Sequence, residues 1–155
     1  MRFQLVDGIL LYEPGKRITG VKQISLEANN IVPFAPDRLI YPATLCVEAL
    51  AQLGGLLVSA SFDFSVIAVL GMISGLALNE IVKIGSQMTI AARAREISRE
   101  VAVVEGRISI NARPVLFAER IVYGLIELTD EPSKKRLQDL FKTLRETQNR
   151  PICAG

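Results

Sequence analysis

Apolar and polar positions change their period along the chain, and each change marks an element. Between residues 42 and 61, Leu45, Val47, Leu50, Leu53, Leu56 and Leu57 recur at helical spacing, which predicts one long helix apolar on most of its faces. Pro42 is well placed to start it, because the first helical residues need no partner for their amides. Upstream, Ile9-Leu10-Leu11-Tyr12, the turn Glu13-Pro14-Gly15-Lys16 and the apolar positions of residues 18–24 predict a β-hairpin. Residues 29–42, with Pro33, Pro36 and Pro42, predict irregular chain. After the helix, residues 66–78, 87–97, 101–110 and 115–128 are rich in Val, Ile and Ala and predict long strands, with turns at 83–86, 98–100 and 111–114. The first of these, opening Val66-Ile67-Ala68-Val69, is expected to be buried. One helix against one antiparallel sheet is an α+β arrangement.

The last part of the chain returns to helical spacing. Leu137, Leu140, Phe141 and Leu144 repeat among Lys134, Lys135, Arg136, Asp139, Lys142, Arg145 and Glu146, predicting an amphipathic helix over about residues 132–148. Its polar face is of mixed sign, which suits a surface helix laid on its own sheet or on a partner subunit rather than a membrane anchor. Residues 53–78 carry a single charge, Asp63, over a length that could span a bilayer. Gly54, Gly55, Gly71 and Gly75 punctuate that stretch, so it reads as a buried helix followed by a buried strand.

Inside the long helix, Glu48 is the only charged side chain between Arg38 and Asp63. Thr44 and Gln52 stand at i−4 and i+4, which gathers three polar groups into one stripe. A buried carboxylate costs several kcal/mol unless it is paired, hydrogen-bonded or protonated, so Glu48 is the leading candidate for chemistry. The bland alternative is a carboxylate held by Gln52 or an arginine with no chemical role. Cys46 points about 200° away around the helix and reads as a small buried hydrophobe.

Composition narrows the classes. A chain of 155 residues, 50% hydrophobic and 22% charged, is one globular domain large enough to bury a core. Its 18 basic and 16 acidic residues are mixed, with no basic cluster interleaved with aromatics, so no nucleic-acid partner is expected. Two cysteines, Cys46 and Cys153, are too few for a disulfide framework and suit a reducing, cytoplasmic setting. Asp7 breaks the apolar run that an export signal would need. With no histidine and two distant cysteines, no metal site is expected, and no glycine loop suggests a phosphate-bearing cofactor.

Several pieces, in order and spacing, carry a resemblance: Leu5-Val6-Asp7, Glu13-Pro14-Gly15-Lys16-Arg17, Val21-Lys22-Gln23-Ile24-Ser25, Glu48-Ala49-Leu50-Ala51-Gln52 and Gly85-Ser86-Gln87-Met88. Over roughly residues 3–128 the chain resembles the (3R)-hydroxyacyl-acyl carrier protein dehydratases, which have the hotdog fold, a curved antiparallel sheet wrapped around one long helix. The resemblance implies a hotdog domain over residues 1–130, followed at 131–155 by the amphipathic helix and a tail. Just before the helix the family carries His-Phe-Pro-Gly-Arg-Pro-Val-Met-Pro-Gly, and here the matching residues read Phe34-Ala35-Pro36-Asp37-Arg38-Leu39-Ile40-Tyr41-Pro42-Ala43. Pro36, Arg38 and Pro42 are kept, whereas Phe34 replaces the histidine.

What the resemblance implies about function turns on that replacement. In the family an imidazole takes a proton from the carbon next to the thioester, while a helix carboxylate of the other subunit protonates the departing hydroxyl. Glu48 matches the carboxylate, and the amides of Ala43 and Thr44 match the helix start that polarises the carbonyl. Phe34 can neither accept nor donate a proton, so ordinary dehydration is expected to be impaired. Three readings follow: an acyl-thioester binder or structural partner of an active paralogue; dehydration or isomerisation by Glu48 alone, assisted by water or Tyr41; and thioester hydrolysis through Glu48. Ala43, Thr44, Tyr41 and Gln52 are the expected substrate-binding residues, acyl-carrier protein or CoA thioesters the expected ligands, and a homodimer the expected assembly, with a higher oligomer or a heterodimer as alternatives. The family's basic Ala-Arg-Phe-Lys-Arg-Pro stretch becomes Leu76-Ala77-Leu78-Asn79-Glu80-Ile81, which implies weaker steering of an acidic carrier protein.

Overall fold

A computed structural model describes residues 4–26, 32–36 and 38–147. In chain order the elements are β1 (Gly8–Glu13), β2 (Arg17–Gln23), β3 (Val32–Ala35), β4 (Arg38–Tyr41), α1 (Ala43–Ser61), β5 (Val66–Leu78), β6 (Val82–Lys83), β7 (Gln87–Ile97), β8 (Val101–Ile110), β9 (Arg113–Glu127) and α2 (Glu131–Glu146). Six of the strands form one antiparallel sheet in the order β1-β2-β7-β8-β9-β5, and β3, β4 and β6 form a small second sheet. The large sheet wraps α1, whose Cys46, Ala49, Leu50, Leu53 and Leu57 are buried against Ile18, Ile90, Val104, Ile108 and Ile121. Close approach is needed at Gly106 in β8, where any β-carbon would run into the Leu50 side chain. By length and composition α1 could cross a bilayer, and it is also the core helix of this α+β fold.

The predicted hairpin forms as β1 and β2, and the three strands at 66–78, 87–97 and 101–110 form over those residues. Elsewhere the structure departs from expectation. Residues 29–42 are not irregular throughout: β3 pairs with β4, and β4 with β6. Pro33 sits in β3 at the edge of the small sheet, the position in a sheet where proline is tolerated. Pro42 precedes α1 as its capping residue, its carbonyl accepting the amides of Leu45 at 3.0 Å and Cys46 at 3.3 Å. The turn after β8 is shorter than predicted, because Asn111 and Ala112 both have positive φ (50° and 63°) and close the hairpin in two residues.

The largest correction concerns β5. Expected to be buried, it is instead the outer strand of the large sheet, paired among the described residues only with β9, and Val69, Met72 and Leu76 are 45%, 50% and 50% exposed. α2 begins where Asp130 accepts the Ser133 amide at 2.8 Å, with a proline in its first turn. It docks on its own chain, with Phe141 set edge-on to Tyr12 at 4.9 Å and to Phe64 at 5.3 Å between ring centroids.

Candidate functional site

One face of α1 is lined with small and polar residues, and a cavity of about 440 Å³ runs beside it. Glu48, Gln52, Gly55 and Ser59 follow at spacings of four, three and four residues, which is one stripe of the helix. The opposite walls come from Ile67, Ala68 and Leu70 of β5, from Tyr123 of β9, and from Leu137 and Leu140 of α2. Val6 and Gln4 close the side next to Gln52.

Glu48 is half-buried rather than enclosed, because it stands at the cavity instead of in the core packing. Its Oε1 accepts a hydrogen bond from Gln52 Nε2 at 3.1 Å, and the Leu5 amide donates to Gln52 Oε1 at 3.0 Å. Among the described residues Glu48 is the only carboxylate in the lining, which also holds Arg136 of α2. No group of three or more His, Cys, Asp or Glu that could hold a metal occurs among the described residues.

The other expected site residues lie outside the lining of the Glu48 cavity in the single chain. Ala43 and Thr44 are exposed at the start of α1, ahead of the first intrahelical bonds, which begin with the amides of Leu45 and Cys46. Tyr41 is 2% exposed and lies in the core, outside the cavity lining. Among the described residues its hydroxyl has no hydrogen-bond partner, and burial, reinforced by the nearby Cys46 and Asp7, pushes its pKa up to about 12. Phe34 falls within β3, and its side chain lies outside the described set, as do Asp37 and Cys153.

Tyr123, Ser59 and the α2 leucines are cavity residues that sequence reasoning missed. Tyr123 donates its hydroxyl to the Ala51 carbonyl at 2.7 Å, which pins β9 to α1. Ser59 Oγ accepts the Ala68 amide at 3.3 Å and ties β5 to the same helix face. A signal was present for part of this set, since Gly55 and Ser59 continue the stripe of Glu48 and Gln52 at helical spacing.

Comparison with known proteins places this architecture. The smu.793 protein from Streptococcus mutans, solved bound to acetyl CoA, superposes with a TM-score of 0.66 at 16% identity over 84% of this chain and 95% of that one. A thioesterase from Haemophilus influenzae, HI1161, gives 0.63 at 16% identity over 79% and 80%. The fold is the hotdog fold. No family model matches the chain. Among curated proteins, the 3-hydroxyacyl-acyl-carrier-protein dehydratase FabZ of Geobacter metallireducens is 30% identical over 119 residues, 71% of this chain and 79% of that relative. The chain belongs to that dehydratase family. Higher local identity occurs with FabZ of Psychromonas ingrahamii (43%) and Oleidesulfovibrio alaskensis (42%), and there the chain spans only 40% and 48% of the relatives' length.

Proposed function

We propose that the chain binds acyl thioesters in the cavity beside Glu48, and that dehydration of 3-hydroxyacyl thioesters is impaired because Phe34 stands in the histidine position. The observation that carries the first half is the placement of Glu48 and Gln52 in an otherwise largely apolar cavity, the usual form of a small-molecule site. The second half rests on chemistry. Eliminating water needs a base at the carbon next to the carbonyl and an acid at the leaving hydroxyl, and losing a general base typically forfeits about 10²–10⁴ in rate. Glu48 is left to serve both steps in turn.

The assembly we propose is a cytoplasmic homodimer. Among the described residues β5 presents an unpaired edge and exposed Val69, Met72 and Leu76, a surface suited to a second copy of the chain. In such a dimer the amides of Ala43 and Thr44 would serve a site shared between protomers and polarise the thioester carbonyl. A second reading, hydrolysis of the thioester with Glu48 activating water, is favoured by Glu48 being the lone carboxylate of the lining among the described residues.

The test is titration of the purified protein with acyl-CoA thioesters, followed by assay of 3-hydroxyacyl-CoA dehydration and of free thiol release. Binding with little dehydration is the expected result. A dehydration rate near that of ordinary family members, abolished by Glu48→Gln, would overturn the impairment. Thiol release that depends on Glu48 would select hydrolysis, and absence of any acyl-CoA binding would remove the whole reading.

A further inference from the structure

The resemblance to the dehydratases ends near residue 128, yet α2, which begins at Glu131, forms one wall of the Glu48 cavity. Its apolar stripe divides into two parts with different surroundings. Phe141 and Leu144 are 7% and 2% exposed, with Phe141 held edge-on between the rings of Tyr12 and Phe64 and covered by the Arg145 guanidinium at 5.9 Å. Leu137, Leu140 and the more deeply buried Leu144, on the same helix face, all border the cavity, and of the three Leu137 and Leu140 are the half-buried ones. Phe141 anchors the helix, and Leu137 and Leu140 offer more side-chain surface to the free volume than the enclosed Leu144 does.

The opposite wall explains why those two leucines matter. From Glu48 to Ser59 the α1 face extends about 16 Å along its axis. Ala51, Gly55 and Ser59 give that face little bulk, so the cavity is bounded across from them by larger side chains. A thioester whose reacting end meets Glu48 can lay its tail along this small-residue face and beneath α2.

We infer that α2 is the length gauge of the site, with Leu137 and Leu140 as the residues that limit the acyl chain. The inference rests on the reading that an acyl thioester binds beside Glu48. A helix that merely covers core residues would alter stability when substituted, and it would leave the dependence of affinity on chain length untouched. A gauge changes that dependence at its long end alone.

The experiment is titration of the full chain with butanoyl-, octanoyl-, dodecanoyl- and hexadecanoyl-CoA, with CoA itself as control. Affinity is expected to rise by roughly fourfold per methylene, from about 0.8 kcal/mol per buried CH₂, until the cavity is full, and then to level off. Leu140→Trp and Leu137→Trp should move the plateau to shorter chains. Excluding about three methylenes lowers affinity for the longest chain accommodated by roughly sixtyfold, with butanoyl-CoA unchanged. Leu140→Ala should move the plateau the other way. Variants that remain folded by circular dichroism and keep the parental profile, or that lose affinity equally at every length, overturn the gauge while leaving the functional reading intact. Acyl-CoAs that bind the parent protein no better than CoA overturn the functional reading, and the gauge with it.

Discussion

Gln52 ties Glu48 to the N-terminal segment: its Nε2 donates to Glu48 Oε1 at 3.1 Å, and its Oε1 accepts the Leu5 amide at 3.0 Å. The two contacts fix which way the amide points, since a carboxylate only accepts and a backbone N–H only donates. In the proposed site Gln52 is therefore the residue that orients Glu48. Gln52→Leu should lower stability by about 1–3 kcal/mol, the cost of leaving the buried Leu5 amide unmet, and weaken acyl-CoA binding several-fold. Thermal denaturation and titration check the two effects separately. Unchanged affinity would show that the carboxylate needs no orienting partner.

The second prediction concerns Phe34 and Glu48 together. If the histidine position is the missing half of the dehydratase chemistry, Phe34→His should raise 3-hydroxyacyl-CoA dehydration by about 10²–10⁴-fold, the usual worth of a positioned general base. Adding Glu48→Gln should abolish the gain. Enoyl thioester formation reads both variants, and no gain in the first would show that more than an imidazole separates this chain from active dehydration.

Those expectations depend on what could be read from sequence, and the readable part has a physical pattern. Residues 66–78, 87–97 and 101–110 form strands over those bounds because β-branched runs are stopped there by turns. β3, β4 and β6 escaped notice because they are four, four and two residues long, and one of them contains Pro33. Which strand lies at the edge depends on pairing order, so the apolar run of β5 looked buried and proved exposed. Glu48 and Gln52 were legible through their i, i+4 spacing. Tyr123 and Leu140 were not, because a cavity wall joins elements that only tertiary packing brings together.

Two adjacent glycines of α1 should respond in opposite ways. A β-carbon at Gly54 would run into the Tyr123 hydroxyl, which is held in place by its bond to Ala51 O. Gly54→Ala is expected to cost about 1–3 kcal/mol through overpacking. At Gly55 the nearest neighbour of a β-carbon would be Tyr123 Cε1 at 3.7 Å, an ordinary contact. Gly55→Ala should raise stability by roughly 0.5–1 kcal/mol through helix propensity, while narrowing the cavity and weakening long-chain acyl-CoA. Denaturant melts of both variants suffice, and loss of stability at both positions would contradict the packing assigned to Tyr123.

The β5 edge yields a test of assembly. Met72 is 50% exposed, so Met72→Lys should leave the monomer fold nearly intact while placing two like charges across a dimer that uses this strand. Sedimentation should then show a dimer for the parent chain and a monomer for the variant at micromolar concentration. A variant that remains dimeric would move the interface away from β5.

Cys46 supplies a prediction about pH and reactivity. It is fully buried, with its Sγ 3.7 Å from Met88 Sδ, and burial pushes the thiol pKa up to about 12 from its ordinary 9.0. Only the thiolate attacks electrophiles, and near pH 8 its native fraction is on the order of one in ten thousand. In a Cys153→Ser background, a thiol reagent should leave the native protein unmodified and label it rapidly in denaturant. The linkage has a definite sign. Below the unfolded pKa both states hold the proton, and above it the unfolded chain releases the proton that the folded chain retains, so stability is lost as pH rises from about 9 toward 12. Tyr41, raised from 10.0 to about 12, adds to the same alkaline loss over the upper part of that window. Cys46→Ala should therefore melt with a shallower decline above pH 9 than the parent chain, whatever its stability at neutral pH. Parallel declines would show that the thiol does not titrate on unfolding.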